Sequence, residues 1–302
     1  MLRAGALPSL IGYVVCALAV THAVLDAKKN KVQRLLLLLT LFIYGSLLEY
    51  IGVAEGYYVY SPDFVMILDG VPLPVSLAWV GIIYSVMVTA ERLDLNHGLR
   101  ILTASLIALS LDWGLDPAAS ALGLWTWDTQ GVPFFGVPIH NFYGWFFIPA
   151  AFLIAYGSGW DKNSRRVKLY SVNAIDKRDS LGRKIYTLLF VIPVSLIFLA
   201  AAGLIFILLP LRSITYTGLT LGAICTVLIT SFLIIQKRSA LKRRRLYDLL
   251  PPGILLFISL NYTVYSFAAG RSDLALLMLL TGFPMWLLLG FFLAKKRIRV
   301  LH

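Results

Sequence analysis

The stretch LLLLLTLFIYGSLLEYIG, residues 35–52, decides the fold class of this chain. It carries one charged side chain, Glu49, and a helix of roughly 20 mostly apolar residues is long enough to cross a bilayer core. The stretch therefore predicts a membrane-spanning helix. The whole chain has the same character, because 59% of its 302 residues are hydrophobic, 14% are charged, and the mean hydropathy is +0.81. Soluble domains contain fewer apolar and more charged residues.

Eight further stretches have a similar length and apolar character. The most N-terminal one follows a single basic residue, Arg3, and lacks a clear small-residue cleavage site, so we interpret it as a span and not as a signal peptide. We predict an all-α, polytopic transmembrane bundle of about nine helices. These are expected at residues 7–26, 35–52, 73–91, 99–116, 141–158, 185–209, 214–236, 250–268 and 274–294.

The basic residues predict how the bundle is oriented. With the N-terminus outside, the loops and tail on the cytoplasmic side hold 24 of the 27 Lys and Arg residues. Such a bias marks the cytoplasmic side of membrane proteins. We therefore predict a multi-pass protein of the cell membrane, with its C-terminus in the cytoplasm. The net charge of +12 then requires no nucleic-acid partner.

Polar residues divide the chain into unlike parts. We predict a five-helix, catalytic-like part at 1–160, a basic cytoplasmic loop at 161–184, and a hydrophobic four-helix part with a basic tail at 185–302. In the last part, packing or kinking of helices explains the notable residues at least as well as function does. These are Pro193, Asn261, Tyr262, Tyr265 and Pro284. In the first part, acids and five of the seven tryptophans gather at the outer helix ends.

The acids inside spans are the first candidates for chemistry. Glu49 and Asp112 lie near helix ends, and an acid within a span is costly unless it faces the bundle interior, where its usual role is functional. Asp112 and Asp116 are four residues apart on one helix face, and two neighbouring carboxyls cannot both ionise easily. The one that keeps its proton is a usable general acid. Alternatively, Asp116 and the following proline simply end the helix.

The remaining acids and the aromatic residues extend this candidate site. Glu55, Asp63 and Asp69 lie among turn-forming residues and are expected to be solvated. The segment 123–138 is too short to span, so we expect it to re-enter or to cap the outer face. Its aromatic residues indicate a lined pocket, or else an interfacial belt. The candidate residues here are Asp128, Trp79, Trp113, Trp125, Trp127, Trp145, His140 and Asn141, the last being also a good helix N-cap.

Several kinds of site have no motif in this sequence. It lacks a P-loop, a GxGxxG fingerprint and a GxSxG elbow. Its two cysteines are isolated in apolar stretches, and no His or Cys spacing indicates a metal. The paired DxxxD motifs of membrane prenyltransferases are also missing. We therefore expect neither a metal nor another cofactor.

Residues 40–150 resemble the carotenoid biosynthesis family of integral membrane proteins, which includes the carotenoid 1,2-hydratases. The resemblance rests on LEYIG at 48–52, GYYVY at 56–60, VPLPV at 71–75 and DWGLDP at 112–117. Its most specific part is GLWTW at 123–127 with FGVPIHNFYGW at 135–145.

This resemblance implies hydration of the terminal carbon–carbon double bond of an acyclic carotenoid to a tertiary alcohol. It implies a lipophilic isoprenoid substrate taken from the bilayer, no cofactor, and association with other membrane enzymes of the pathway. Asp112 or Glu49 would be the acid, and Asp116 or Asp128 would orient water. Trp113, Trp125 and Trp127 would line the cation site, and His140 and Asn141 would form hydrogen bonds.

Two other functions fit the same residues. A carotenoid end-group cyclase shares the protonation step but loses a proton instead of adding water. A transporter or lipid-binding protein is the alternative outside enzymes, although an ion carrier would be expected to place its acids near mid-bilayer in broken helices.

Overall fold

The computed structural model describes six parts of the chain, residues 6–27, 31–128, 133–157, 181–209, 214–240 and 245–294. Most of the basic loop predicted at 161–184, the middle of 123–138 and the basic tail lie outside these residues. Predictions about those segments stay predictions.

Apolar helices make up most of the described residues, as the hydropathy of the sequence predicts. Short 3-10 segments follow α8 and precede α9, at Arg238–Ala240 and Leu246–Leu249. The helices are α1 (Ala6–Asp26), α2 (Lys31–Ala54), α3 (Leu73–Arg92), α4 (His97–Ala121), α5 (Ile139–Gly157), α6 (Leu181–Leu189), α7 (Val191–Leu208), α8 (Tyr216–Lys237), α9 (Leu250–Ala268), α10 (Ser272–Thr281) and α11 (Phe283–Ala294).

Seven spans among the described residues are long and apolar enough to cross a membrane, or eight if the bent pair of α10 and α11 is one span. Leu10–Asp26 of α1 is an apolar helix of shorter length. The polytopic helical class is thus confirmed. The total of nine spans and the orientation of the termini stay predictions.

Two of the predicted spans are interrupted. The span expected at 185–209 is divided into α6 and α7, and the span expected at 274–294 bends by 48° between α10 and α11. The second bend lies at Gly282, where an added Cβ would collide with the side chain of Ser259 on α9. The close approach of α9 therefore accompanies the bend. Pro284 follows two residues later, and the kinking considered for it agrees with a break at this point, because proline interrupts helical hydrogen bonds.

Two pairs of short antiparallel strands cover one end of the bundle, which the all-α prediction omitted. Strand β1 (Tyr58–Tyr60) pairs with β4 (Trp125–Trp127), so that Val59 lies opposite Thr126. Strand β2 (Met66–Leu68) pairs with β3 (Val71–Pro72), directly before α3. We call this the capped end of the bundle, because it lies where α2 and α4 end and α3 and α5 begin. The described part of 123–138 caps the helices.

Helix α3 lies at the centre and packs against α1, α2, α4 and α9. Glycines at two contacts let α1 and α2 pack closely against α3. A Cβ added to Gly81 of α3 would collide with Val15 of α1, and one added to Gly45 of α2 would lie 2.7 Å from Cβ of Trp79. Small residues allow such close helix packing in lipid. The approach of α2 to α3 at Gly45 places Glu49, one turn further along, beside Trp79.

A buried ionic cluster joins helices at the end opposite the cap. Arg34 of α2 and Arg92 of α3 both bind Asp26 of α1, at 3.0 and 3.3 Å. Arg92 also binds Asp248, at 2.9 Å, in the segment that leads into α9. The two arginines and Asp248 are each less than 5% exposed. The cluster therefore connects the N-terminal helices with the C-terminal ones.

Candidate active site

Glu49 is buried near the capped end of α2 and accepts hydrogen bonds from three side chains. Its Oε2 accepts from the hydroxyls of Tyr58, at 2.9 Å, and of Tyr60. Its Oε1 accepts from the indole nitrogen of Trp79, at 2.5 Å. An indole N–H can only donate, so at least one carboxyl oxygen acts purely as an acceptor. This arrangement stabilises the carboxylate form of Glu49.

Strand β1 explains why two tyrosines reach the same carboxyl. Side chains two residues apart lie on the same face of a strand, so Tyr58 and Tyr60 both point from β1 toward α2. Their rings lie 5.3 Å apart, and each also contacts a tryptophan of β4, Trp127 or Trp125. Burial, together with the nearby Glu49 carboxyl, raises the pKa of both tyrosines well above its usual value. They therefore remain donors at neutral pH.

Asp112 and Asp116 form a second acidic group, on α4. Nδ2 of Asn141, in the first turn of α5, donates to Oδ2 of Asp112 at 2.9 Å and to Oδ2 of Asp116 at 2.5 Å. Both carboxyls are buried. The helix continues through Pro117 to Ala121, so the expectation that Asp116 ends the helix is wrong. One amide thus bridges two carboxyls, an arrangement in which a shared proton relieves their mutual repulsion.

A cavity of about 250 Å³ lies between the two acidic groups, beneath the strand cap. Apolar and aromatic side chains form most of its wall, and Glu49 and Asp116 contribute its acids. Tyr262 and Ile258 of α9 complete the wall, so the C-terminal helices also contribute. The sequence-predicted residues that line the cavity are Glu49, Trp79, Asp116, Trp125, Trp127, His140, Asn141 and Trp145.

Aromatic rings surround the cavity closely. The rings of Trp79 and Trp145 are 4.5 Å apart and tilted by 35°. The imidazole of His140 lies 5.2 Å from the ring of Tyr57 and 6.2 Å from that of Trp127. The indole nitrogen of Trp127 is buried and has no hydrogen-bond partner among the described residues. The cavity therefore combines aromatic faces, which attract cations, with the carboxyls of Glu49 and Asp116.

Three of the predicted site residues lie outside the cavity wall. Asp112 lies behind Asp116 and reaches the site through Asn141. Trp113 packs on the other side of α4, where it stacks on Phe142 with ring centroids 4.0 Å apart and donates to Thr226 at 3.3 Å. Asp128 is exposed on the cap. The structure therefore gives no support to Trp113 as a residue that lines the cation site or to Asp128 as one that orients water. Glu55, Asp63 and Asp69 are exposed, as expected.

Tyr58, Tyr60 and Tyr262 were not predicted as site residues. The alternating tyrosines at 58 and 60 are a pattern typical of a strand with one buried face, and that pattern was a usable signal. Tyr262 has no such signal, because its place in the cavity depends on the packing of α9 against α3 and α4. Among the described residues, no cluster of three or more His, Cys, Asp or Glu side chains has the arrangement of a metal site.

A sequence model of the carotenoid biosynthesis proteins matches residues 5–224. The chain belongs to this family. The family match extends beyond the resemblance at 40–150, because it begins near α1 and ends within α8. It therefore includes both acidic groups, the strand cap and most of the cavity wall, while α9, with Tyr262, lies beyond it.

One curated relative is the bisanhydrobacterioruberin hydratase of Haloarcula japonica. It is 25% identical to this chain over 169 residues, which amount to 53% of this chain and 56% of the relative. The chain thus aligns with just over half of the relative's length. No solved structure matches the chain.

Proposed function

We propose that this protein hydrates the terminal double bond of an acyclic carotenoid, giving a tertiary alcohol. The observation that carries the proposal is the pair of separate acidic groups that face one aromatic cavity, Asp116 with Asp112 on one side and Glu49 on the other. Membership of a carotenoid biosynthesis family and the similarity to a hydratase support the substrate class and the reaction type.

The Asp112–Asp116 pair is the proposed acid. Two buried carboxyls bridged by one Asn141 amide hold a single proton between them more readily than two negative charges. Asp116 lines the cavity and can deliver that proton to the less substituted carbon of the alkene. The electron pair of the double bond forms the new carbon–hydrogen bond, and a tertiary carbocation remains at the other carbon.

Glu49 is the proposed base. Its three donors favour a carboxylate, which stabilises the cation electrostatically while the faces of Trp79 and Trp145 act in the same way. A water molecule then adds to the cation, and Glu49 accepts the proton that this water loses. One molecule of water is added overall, and proton exchange through solvent returns the acid and the base to their starting states.

The proposal includes a location. The bias of the basic residues supports the cell membrane as the site of the protein, with the capped end and its cavity on the outer side. The carotenoid would then reach the cavity from the outer leaflet.

Product mass tests the reaction type. We expect cells that accumulate an acyclic carotenoid, and that express this protein, to form products heavier than the substrate by one or two molecules of water. A cyclase would form products of unchanged mass. Glu49→Gln should abolish the hydrated products although the protein still accumulates in the membrane. Unaltered carotenoid in cells with well-expressed wild-type protein would overturn the proposal.

A further inference from the structure

Helices α2 and α5 both line the cavity at the capped half of the bundle. We propose that the cavity opens sideways between them, and that one end of a long apolar chain passes through this opening while the rest of the chain stays in lipid. The inference rests on the proposed function, because the chain it names is that of an acyclic carotenoid.

One face of α2 is closed at the end of the bundle opposite the cap. Gln33, Thr40 and Tyr44 lie on this face, as their spacing along a helix requires. Gln33 donates to Oγ1 of Thr187 on α6 at 2.9 Å, and Thr40 donates to the carbonyl of Thr187 at 3.3 Å. Tyr44 donates to the carbonyl of Ile148 on α5 at 3.1 Å. Side chains of α2 therefore join it to α6 and α5 over this half.

The same face of α2 is open toward the cap. Leu48 and Ile51 follow Tyr44 at helical spacing, and both line the cavity. Ile51 is nevertheless 44% exposed. A cavity-lining side chain that is also exposed on the outside of a helix marks an opening. Tyr44, one turn before Leu48, closes the same face through its bond to α5.

Helix α5 presents a small residue to this opening. Gly144 lines the cavity one turn before Ile148, and a Cβ added there would meet nothing closer than Cδ1 of Ile148, at 4.0 Å. Leu48 and Ile51 of α2 and Gly144 and Ile148 of α5 thus form an entirely apolar rim. Because α2 is long and apolar enough to cross a membrane, an apolar rim on its outer side is suited to contact lipid.

The size of the cavity indicates which part of the substrate enters. Its volume of about 250 Å³ is below the range of about 300–1,000 Å³ in which whole drug-sized ligands are held. It accommodates an end group and a water molecule, but not a long polyene. The other exposed lining residue, Tyr57, lies on the cap next to His140. This polar side of the cavity is where we expect water to enter.

Blocking the opening tests the inference. Ile51→Trp would place a large ring across the rim. Tyr50→Trp is the matched control, because Tyr50 is 47% exposed at the same depth of α2 and does not line the cavity. Gly144→Leu blocks the opening from α5 and serves as the second variant. Each protein is purified from carotenoid-accumulating cells, and the polyene absorbance per mole of protein is measured. Conversion is measured for the carotenoid and for a ten-carbon alkenol that has the same terminal alkene.

We expect Ile51→Trp and Gly144→Leu to lose about tenfold or more of bound carotenoid, while Tyr50→Trp changes by less than about twofold. The short alkenol should still be converted by both blocked variants. Bound carotenoid at the wild-type level in Ile51→Trp, or its absence from the wild type, would overturn the lateral opening. Carotenoid that binds to the wild type and is lost from the blocked variants, without any hydrated product, would support the opening and reject the hydratase function.

Discussion

The indole nitrogen of Trp79 lies 2.5 Å from Oε1 of Glu49, so a side chain of α3 holds the carboxyl of α2. The same indole lies against Trp145 of α5. Three helices therefore meet at one ring, and a shift of α2 relative to α3 would change the position of the proposed base. This relationship depends on Gly45, which lets α2 approach Trp79.

Gly45→Ala should weaken both folding and activity. The added methyl group would lie 2.7 Å from Cβ of Trp79, so the helices must separate. Overpacking of this kind costs about 1–3 kcal/mol. We expect a lower unfolding temperature in detergent and a lower rate of carotenoid hydration. Gly203→Ala on α7 is the control, because an added Cβ there meets no atom within 4 Å. Equal stability and activity in the two variants would contradict the proposed role of the close approach.

Asp116→Asn should lower the hydration rate by about 100-fold or more, the usual contribution of a general acid. Asparagine has the same shape and can still pair with Asn141, but it cannot donate an acidic proton. Product formation at saturating carotenoid measures the effect. Asp128→Asn should leave the rate unchanged, since Asp128 is exposed on the cap. The assignment of Asp116 would be wrong if the two variants had similar rates.

Tyr60→Phe should change how stability depends on pH. Burial and the Glu49 carboxyl raise the pKa of Tyr60 well above that of an unfolded tyrosine, which is about 10. The unfolded chain therefore loses this proton first as pH rises, and native stability falls above about pH 10. The variant lacks this contribution, so its unfolding temperature should decline less steeply between about pH 9 and about pH 11. Tyr50→Phe, at an exposed position, should behave like the wild type. Parallel curves for Tyr60→Phe and the wild type would reject a buried, Glu49-linked hydroxyl.

Tyr60→Phe should also reduce activity. Without its hydroxyl, Oε2 of Glu49 retains only the bond from Tyr58. Loss of one donor to a buried charged group costs about 1–3 kcal/mol, which corresponds to a rate reduction of roughly 5- to 150-fold if the donor acts mainly in the transition state. The pH–rate profile should shift as well, because the carboxylate form of Glu49 is less stabilised without the Tyr60 hydroxyl. A lower rate with an unchanged pH profile would indicate a purely structural role.

Local sequence patterns predicted most of the fold and much of the site. Within the described residues, hydropathy located the long helices, because a helix that crosses the bilayer core must be mostly apolar. It missed the start of α6, since Leu181 lies inside the segment predicted as a loop at 161–184. The cost of burying acids in a span identified Glu49 and Asp112 as residues of the bundle interior, and their burial is confirmed. Helical spacing also placed Asp112 and Asp116 on the same face of α4.

The features that the sequence did not predict, namely side-chain directions and buried ionic partners, depend on long-range packing. Trp113 and Asp128 resemble the true lining residues in composition, yet one faces α8 and the other faces outward, because side-chain direction depends on how helices and strands pack. Arg34 and Arg92 are among the 24 basic residues that the charge pattern assigned to cytoplasmic loops and the tail, yet both are buried within the bundle. Arg92 finds its partners, the partly buried Asp26 and the buried Asp248, 66 and 156 residues away, and no local pattern links them.

Arg92→Gln should therefore destabilise the protein strongly. Arg92 binds Asp26 and Asp248 in a buried cluster, and removing one partner from such a cluster costs about 3–5 kcal/mol, because a buried charge loses its counterion. Arg271→Gln is the control. Its pair with Asp273 is about half exposed and screened by solvent, so the expected loss is much smaller than for Arg92→Gln. Unfolding in a graded mixture of denaturing and mild detergent measures both free energies. Similar losses in the two variants would mean that the cluster does not hold α3 to the segment before α9. If the cluster holds them, the additional variant Asp248→Asn should cost less in the Arg92→Gln background than in the wild type.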